Sequence, residues 1–232
     1  MRKLLFMLFV LPAATVAGLA SVCPTTTYDQ VIAGGDCSIA DKTFGSWSFS
    51  SSASGGATLV QASTIAYKPL PTLNNPGVLF SFGFAAGIGQ VQDETFGFTV
   101  TVPSGAAPIT DIHLLMLGAA FSGTGSASIA ESVCLGDLFA DGCAAGKIVG
   151  LSTFDNSTLV MLSDSITFAP VTVVDVIKDL QLTGGTYGTA VVSVMENQFS
   201  EGTIPESGTL AFVGIGVLCL GGLLRRRLGS GS

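Results

Sequence analysis

The residues able to do chemistry in this 232-residue chain are few and scattered. His113 is the sole histidine, two residues after Asp111 in an alternating run. On a strand, side chains two apart share a face, so this pair is placed to hydrogen-bond. A serine could complete a triad with this pair, but no Gly-x-Ser-x-Gly elbow at a strand-to-helix turn supports one. His113 therefore reads as structural or surface, with a secreted hydrolase as the enzymatic alternative. Asp93 and Glu94 are adjacent, which on a strand sends them to opposite faces, so they read as a solvated edge rather than a catalytic dyad. Asp137 and Asp141 lie on an acidic loop and are weak calcium candidates, because the spacing lacks the Asp-x-Asp-x-Asp-Gly order of an EF-hand. Thr95, Thr99 and Thr101 form one hydroxyl row suited to ice or polysaccharide. A flat binding face requires that row to be repeated on neighbouring strands.

Five cysteines add a redox constraint. Cys219 falls in an apolar C-terminal run, which leaves Cys23, Cys37, Cys134 and Cys143 as an even set. Four thiols in an oxidising compartment allow three pairings, and the short-range one joins Cys23 to Cys37 and Cys134 to Cys143. Their spacings do not match the Cys-x2-4-Cys pairs of zinc sites, and one histidine gives no histidine pair. No cofactor is expected. Asn156-Ser157-Thr158 is a glycosylation sequon by composition only.

Charge divides the chain into modules. Five of nine basic residues sit at the extremities, as Arg2, Lys3, Arg225, Arg226 and Arg227. Between residues 21 and 203 there are four lysines, no arginine and fifteen acids, a net −11 that repels phosphate backbones and excludes nucleic acid as a partner. Arg2-Lys3, an apolar run over 4–11 and small residues up to Ala20 read as a signal peptide over 1–20, cleaved after Ala20 by the general secretion machinery. A lipoprotein signal is the rival, with Val22 where a small residue ordinarily precedes the cysteine. Residues 209–224 form an uncharged apolar stretch whose sixteen residues span about 24 Å as a helix. That is short of a hydrocarbon core of about 30 Å but long enough to insert with its flanks adjusting. Arg225, Arg226 and Arg227 then stay cytoplasmic, with the preceding domain outside.

The motif Pro205-Glu206-Ser207, followed by a short Gly-rich apolar helix and an arginine cluster, resembles the PEP-CTERM sorting signal. Ser207 stands where that family's second proline stands. The resemblance spans 204–227 and implies an exosortase-type membrane protease as partner, cutting near Pro205-Glu206, with 228–232 as a flexible end. It is an address and assigns no activity. Cys23, Gly35, Cys37, Ile39, Asp41, Lys42 and Phe44, with the segments 125–131 and 176–180, are similar to one recurring group of PEP-CTERM proteins. That likeness implies an extracellular β-rich domain.

Secondary structure follows a period of two. In residues 95–102 every even position is large and apolar and every odd one is Thr or Gly, the pattern of a strand buried on one face. Weaker runs cover 44–50, 57–67, 78–84, 109–117, 125–132, 147–154, 158–168, 171–182 and 189–196, about ten strands in all, separated by Gly, Pro and Asn clusters. Short helical turns are expected over 28–33 and 134–139. Strands that each bury one apolar face predict an all-β, two-sheet antiparallel β-sandwich over 21–203, with a β-barrel as alternative. Trp47, Phe49, Phe80, Phe82, Phe84, Phe96 and Phe98 are expected in the core. The resulting expectation is an exported, membrane-tethered precursor of a non-enzymatic cell-surface or extracellular-matrix protein. Its role is structural or adhesive, with a glycan-, calcium- or ice-binding module as alternative and extracellular polysaccharide as a partner.

Overall fold

A computed structural model describes residues 21–202 except 73, 145 and 157. The signal peptide over 1–20 with Ala20, the sorting motif Pro205-Glu206-Ser207, the apolar stretch 209–224 and Arg225 to Arg227 lie outside the described residues. Among the described residues no helix is long and apolar enough to cross a membrane.

The chain runs β1 (Ser21–Val22), β2 (Thr26–Thr27), α1 (Tyr28–Gly34), β3 (Cys37–Ile39) and β4 (Lys42–Ser54). A 3-10 turn, Ala62–Thr64, precedes β5 (Ala66–Leu70), β6 (Gly77–Ala86), β7 (Val91–Thr101), β8 (Ile109–Leu117), β9 (Ala120–Ser122) and β10 (Ser126–Leu135). A second 3-10 turn, Phe139–Asp141, leads to β11 (Ile148–Asn156), β12 (Val160–Met161), β13 (Ser163–Val171), β14 (Val173–Thr183) and β15 (Thr189–Glu201). They form an eight-stranded sheet in the order β1-β3-β4-β7-β14-β10-β11-β12. The second sheet runs β13-β8-β15-β6-β5-β2, with β9 added beside β15. Pairing is antiparallel except for β1 with β3. The two sheets stack as a sandwich and do not close into a barrel.

Three expected elements change. Residues 57–67 are not one strand: the 3-10 turn interrupts them and only the end joins β5. The stretch 158–168 divides into β12 and β13, which belong to different sheets. The helical turn expected over 134–139 shifts to Phe139–Asp141, because Cys134 and Leu135 remain paired with Asp175 and Val174 on β14.

The core is aromatic. Phe44, Phe80, Phe84, Phe96, Phe98 and Phe199 are fully buried, Trp47 nearly so, and Phe49 and Phe82 pack partly buried against them. Phe44 and Trp47 are three apart, so strict alternation would send one of them outward. A bulge between Gly45 and Ser48 restores the parity, with Ser46 at φ 52°, and Trp47 turns inward against Phe98 at 5.5 Å between ring centres. A non-glycine residue in that region costs about 1–3 kcal/mol, which burial of the indole offsets. Tyr28 on α1 inserts its ring among Trp47, Phe80 and Phe96, and its hydroxyl lies 3.0 Å from the Ser48 carbonyl oxygen.

Cys23 pairs with Cys37 and Cys134 with Cys143, the short-range pattern among the three. The first bridge is buried and ties the sheet edge at β3 to the segment between β1 and β2. Replacing Cys23 and Cys37 together by Ser should lower the unfolding free energy by about 3 kcal/mol, the value for closing a loop of that length. Urea unfolding of the pair variant against wild type measures this, and an unchanged midpoint would refute the assignment.

Candidate functional site

The two-residue period of β7 decides what the large sheet shows to solvent. Gln92, Glu94, Phe96, Phe98 and Val100 are buried, while Asp93, Thr95, Thr99 and Thr101 lie on the outer face. The same register places Ser48, Ser50, Ser52 and Ser54 of β4 beside Gly97, Thr95, Asp93 and Val91. On the other side β14 contributes Asp175, Ile177, Asp179, Gln181 and Thr183. Beyond it β10 contributes Ser126, Ser128 and Ser132. The hydroxyl row expected at Thr95, Thr99 and Thr101 is therefore repeated on β4 and again on β10, with a carboxylate-bearing strand between. Gly97 keeps the face low, since a Cβ there would lie 2.3 Å from the Ser48 hydroxyl.

At one end of this face a shallow groove of about 380 Å³ is lined by Asp36, Ser46, Thr99, Thr101, Asp137 and Val173. Hydroxyls donate and accept and carboxylates accept, the complement of a polyhydroxylated ligand. Asp175 stands beside the groove on the sheet and accepts a 2.9 Å hydrogen bond from the Phe139 N–H, which fastens the Cys134–Cys143 loop to the sheet. Burial raises its pKa, partly offset by that bond. Asp179 is also raised, by burial and by Asp93 on the adjacent strand β7.

The calcium candidates are not assembled into a site. Asp137 caps its own loop by accepting from the Leu138 N–H at 3.0 Å and faces Lys147 at 3.8 Å, while Asp141 is exposed in the 3-10 turn. Among the described residues no group of three or more His, Cys, Asp or Glu is placed to hold a metal. His113 and Asp111 do share a face of β8, 3.3 Å apart. Asp111 also accepts from the Ser200 N–H. Ser165 is the cross-strand neighbour of His113 on β13, and no hydrogen bond joins the two. Asn156 uses its side-chain oxygen to accept from Thr158 and Leu159 in a tight turn.

Asp93 and Glu94 do face opposite ways, but the solvated edge is corrected: β7 is a central strand and Glu94 is fully buried. Burial, with the charge of Asp93 adding, the Ser51 hydroxyl opposing and Asp179 adding further, pushes its pKa up to about 8. A second buried polar group escaped the sequence reading entirely. Glu131 of β10 and Lys178 of β14 are direct cross-strand neighbours pointing inward, and Asn197 of β15 meets them from the opposite sheet. Their signal was present: each is a polar residue at an inward position in an otherwise apolar alternation.

No protein-family model matches the chain, and no curated protein matches it at significance. Among solved structures it is similar to TmCBM61, determined in complex with β-1,4-galactotriose, at 10% identity and a TM-score of 0.31, covering 65% of this chain and 87% of that one. It is similar to the enzymatically active domain of tailspike protein 4 of bacteriophage CBA120 at 10% identity and a TM-score of 0.30, covering 77% of this chain and 21% of that one. It is also similar to the low-affinity xylan-binding module CBM86 of Roseburia intestinalis, at 11% identity and a TM-score of 0.21, covering 67% of this chain and 96% of that one. Likeness at these TM-scores does not bear on what this chain binds.

Glu94 makes stability depend on pH. Its folded pKa of about 8 lies above the ordinary carboxyl value of 4.5, so between these limits the native state binds a proton that the unfolded state has lost. Stability therefore falls as pH rises from 4.5 through about 8 and levels off above, by at most about 5 kcal/mol. Glu94→Gln, neutral at every pH, should remove this slope and be the more stable protein at pH 9. Urea unfolding at pH 5, 7 and 9 compares the two, and parallel curves would contradict a buried, proton-holding Glu94.

Proposed function

We propose that this chain is an exported, non-enzymatic β-sandwich of the cell surface or extracellular matrix that adheres to extracellular polysaccharide through the outer face of its large sheet. The observation that carries the reading is that face: hydroxyls on β4, β7 and β10 on one side of the sheet, with Asp36, Asp137 and the acids of β14 among them. The two disulfides support a location outside the cytoplasm. Recognition by this face relies on hydroxyls and carboxylates rather than ring stacking, since the aromatic residues of β4, β6 and β7 point into the sandwich. Delivery rests on the tail: secretion through residues 1–20, arrest by 209–224 with Arg225 to Arg227 inside, and cutting near Pro205-Glu206 by an exosortase-type protease.

Affinity electrophoresis of the full-length protein in gels containing its host's extracellular polysaccharide tests the adhesive surface. Wild type should be retarded, and Ser50→Arg with Thr99→Arg, both on the outer face, should weaken retardation about tenfold, or about 1.4 kcal/mol. Equal migration of the two proteins, or no retardation of wild type, would defeat the assignment. Replacing Arg225, Arg226 and Arg227 by Ala should impair membrane retention or tail processing; wild-type fractionation and tail mass in that variant would disprove the sorting mechanism.

A further inference from the structure

The buried group at Lys178, Glu131 and Asn197 has the composition and contacts of a reaction centre rather than of a structural ion pair. Lys178 and Glu131 are both fully buried, with the ammonium nitrogen 3.4 Å from Glu131 Oε2. The Lys178 Nζ touches the side-chain oxygen of Asn197, and the Asn197 Nδ2 lies 3.0 and 2.8 Å from the two oxygens of Glu131. The surroundings are apolar: Phe80 sits 6.0 Å from Nζ, and Val133, Val176 and Leu180 are the adjacent inward residues on the same two strands. Lysine, primary amide and carboxyl thus converge in the buried interior, from three strands and two sheets.

We propose that Lys178 and Asn197 are joined by an intramolecular isopeptide bond, formed after folding with Glu131 as the proton shuttle. Nζ, as the free amine, attacks Asn197 Cγ; the Nζ–Cγ bond forms, the Cγ–Nδ2 bond breaks, and Nδ2 leaves as ammonia. Glu131, as the neutral acid, gives its proton to Nδ2, the atom already held against its carboxyl oxygens, and the carboxylate left behind takes the proton lost by Nζ. Each side of the reaction balances as amine plus primary amide giving secondary amide plus ammonia, with no oxidant or reductant involved. Burial favours the reactive protonation states, lowering the pKa of Lys178 towards the neutral amine and raising that of Glu131 towards the neutral acid. The fold holds nucleophile and electrophile in contact, which supplies the proximity that an amine and an unactivated amide lack in solution. The product also relieves the cost of an ammonium kept in an apolar interior. The bond connects β14 of the large sheet to β15 of the small one, and so fastens the two layers covalently.

Peptide mapping of the reduced full-length protein, purified after export from a bacterial host, decides the matter. Trypsin should fail to cut after Lys178, because its side chain is acylated, and the spanning peptide that begins at Ile148 should be lighter than its linear sequence by one ammonia. Cleavage after Lys178, with a following peptide that retains the Asn197 amide or carries an aspartate there, would overturn the proposal. Glu131→Gln, which preserves shape but cannot shuttle a proton, should give a protein of native circular dichroism with a cleavable Lys178 and full mass. Linkage in that variant to the wild-type extent would remove Glu131 from the chemistry. The wild-type digest stands as a test by itself whether or not the variant folds.

Discussion

The alternation of β7 holds both the core and the exposed face in place. Its even positions supply Phe96 and Phe98, against which Phe44, Trp47, Tyr28 and Phe80 pack, and its odd positions supply the threonines. A strand with two long neighbours cannot slip by one residue without exchanging these sets, burying hydroxyls and exposing phenyl rings. The bulge at Ser46 shows that constraint at work. β4 accepts an unfavourable backbone angle so that Trp47 and Phe49 can follow Phe44 inward and the serines that alternate with them can remain outside.

Polar side chains inside the sandwich are not distributed at random. Lys178, Glu131 and Asn197 link the sheets near their middle, while Lys42, fully buried at the start of β4, is held by Asp41 at 2.7 Å and by Glu201 at the end of β15 at 2.8 Å. Hydrophobic packing between two layers is tolerant of small shifts, whereas directed polar links between them are not, and at Lys42 losing a partner would leave a buried charge uncompensated. The two groups thus fix how the layers sit on one another, a task the aromatic cluster does not perform alone. Glu94 differs from both, having no partner across the interior.

Much of this architecture was legible in the residues. The strand at 95–102 and the inward aromatics follow from period, which is a local property, whereas the cysteine spacing left three pairings of which the structure shows the short-range one. The segment 57–67 misled because its apolar residues suggested a strand, although only Val60, Ile65 and Tyr67 are buried while Leu59 remains exposed. Ser51, Ser52 and Ser54 lie beyond the end of the run read over 44–50. They stay in β4 because β7 continues beside them, a tertiary cause with no trace in the local sequence. The repetition of the hydroxyl row was hidden for the same reason: strands adjacent in the sheet are separated by tens of residues in the chain. Glu131, Lys178 and Asn197 needed three strands and a second sheet to become one group.

The lateral borders of the sandwich carry a consequence for how copies of it can meet. β1 and β12 border the large sheet and β2 borders one side of the small sheet, and each is two residues long. β13, with nine residues, offers a main-chain rim in which Pro170 removes one amide donor, while β12 covers β11 only at Phe154 and Asp155 and β3 covers β4 only over 42–44. Copies meeting edge to edge therefore find main chain on the uncovered lengths of β4, β11 and β13 and not on the two-residue borders themselves.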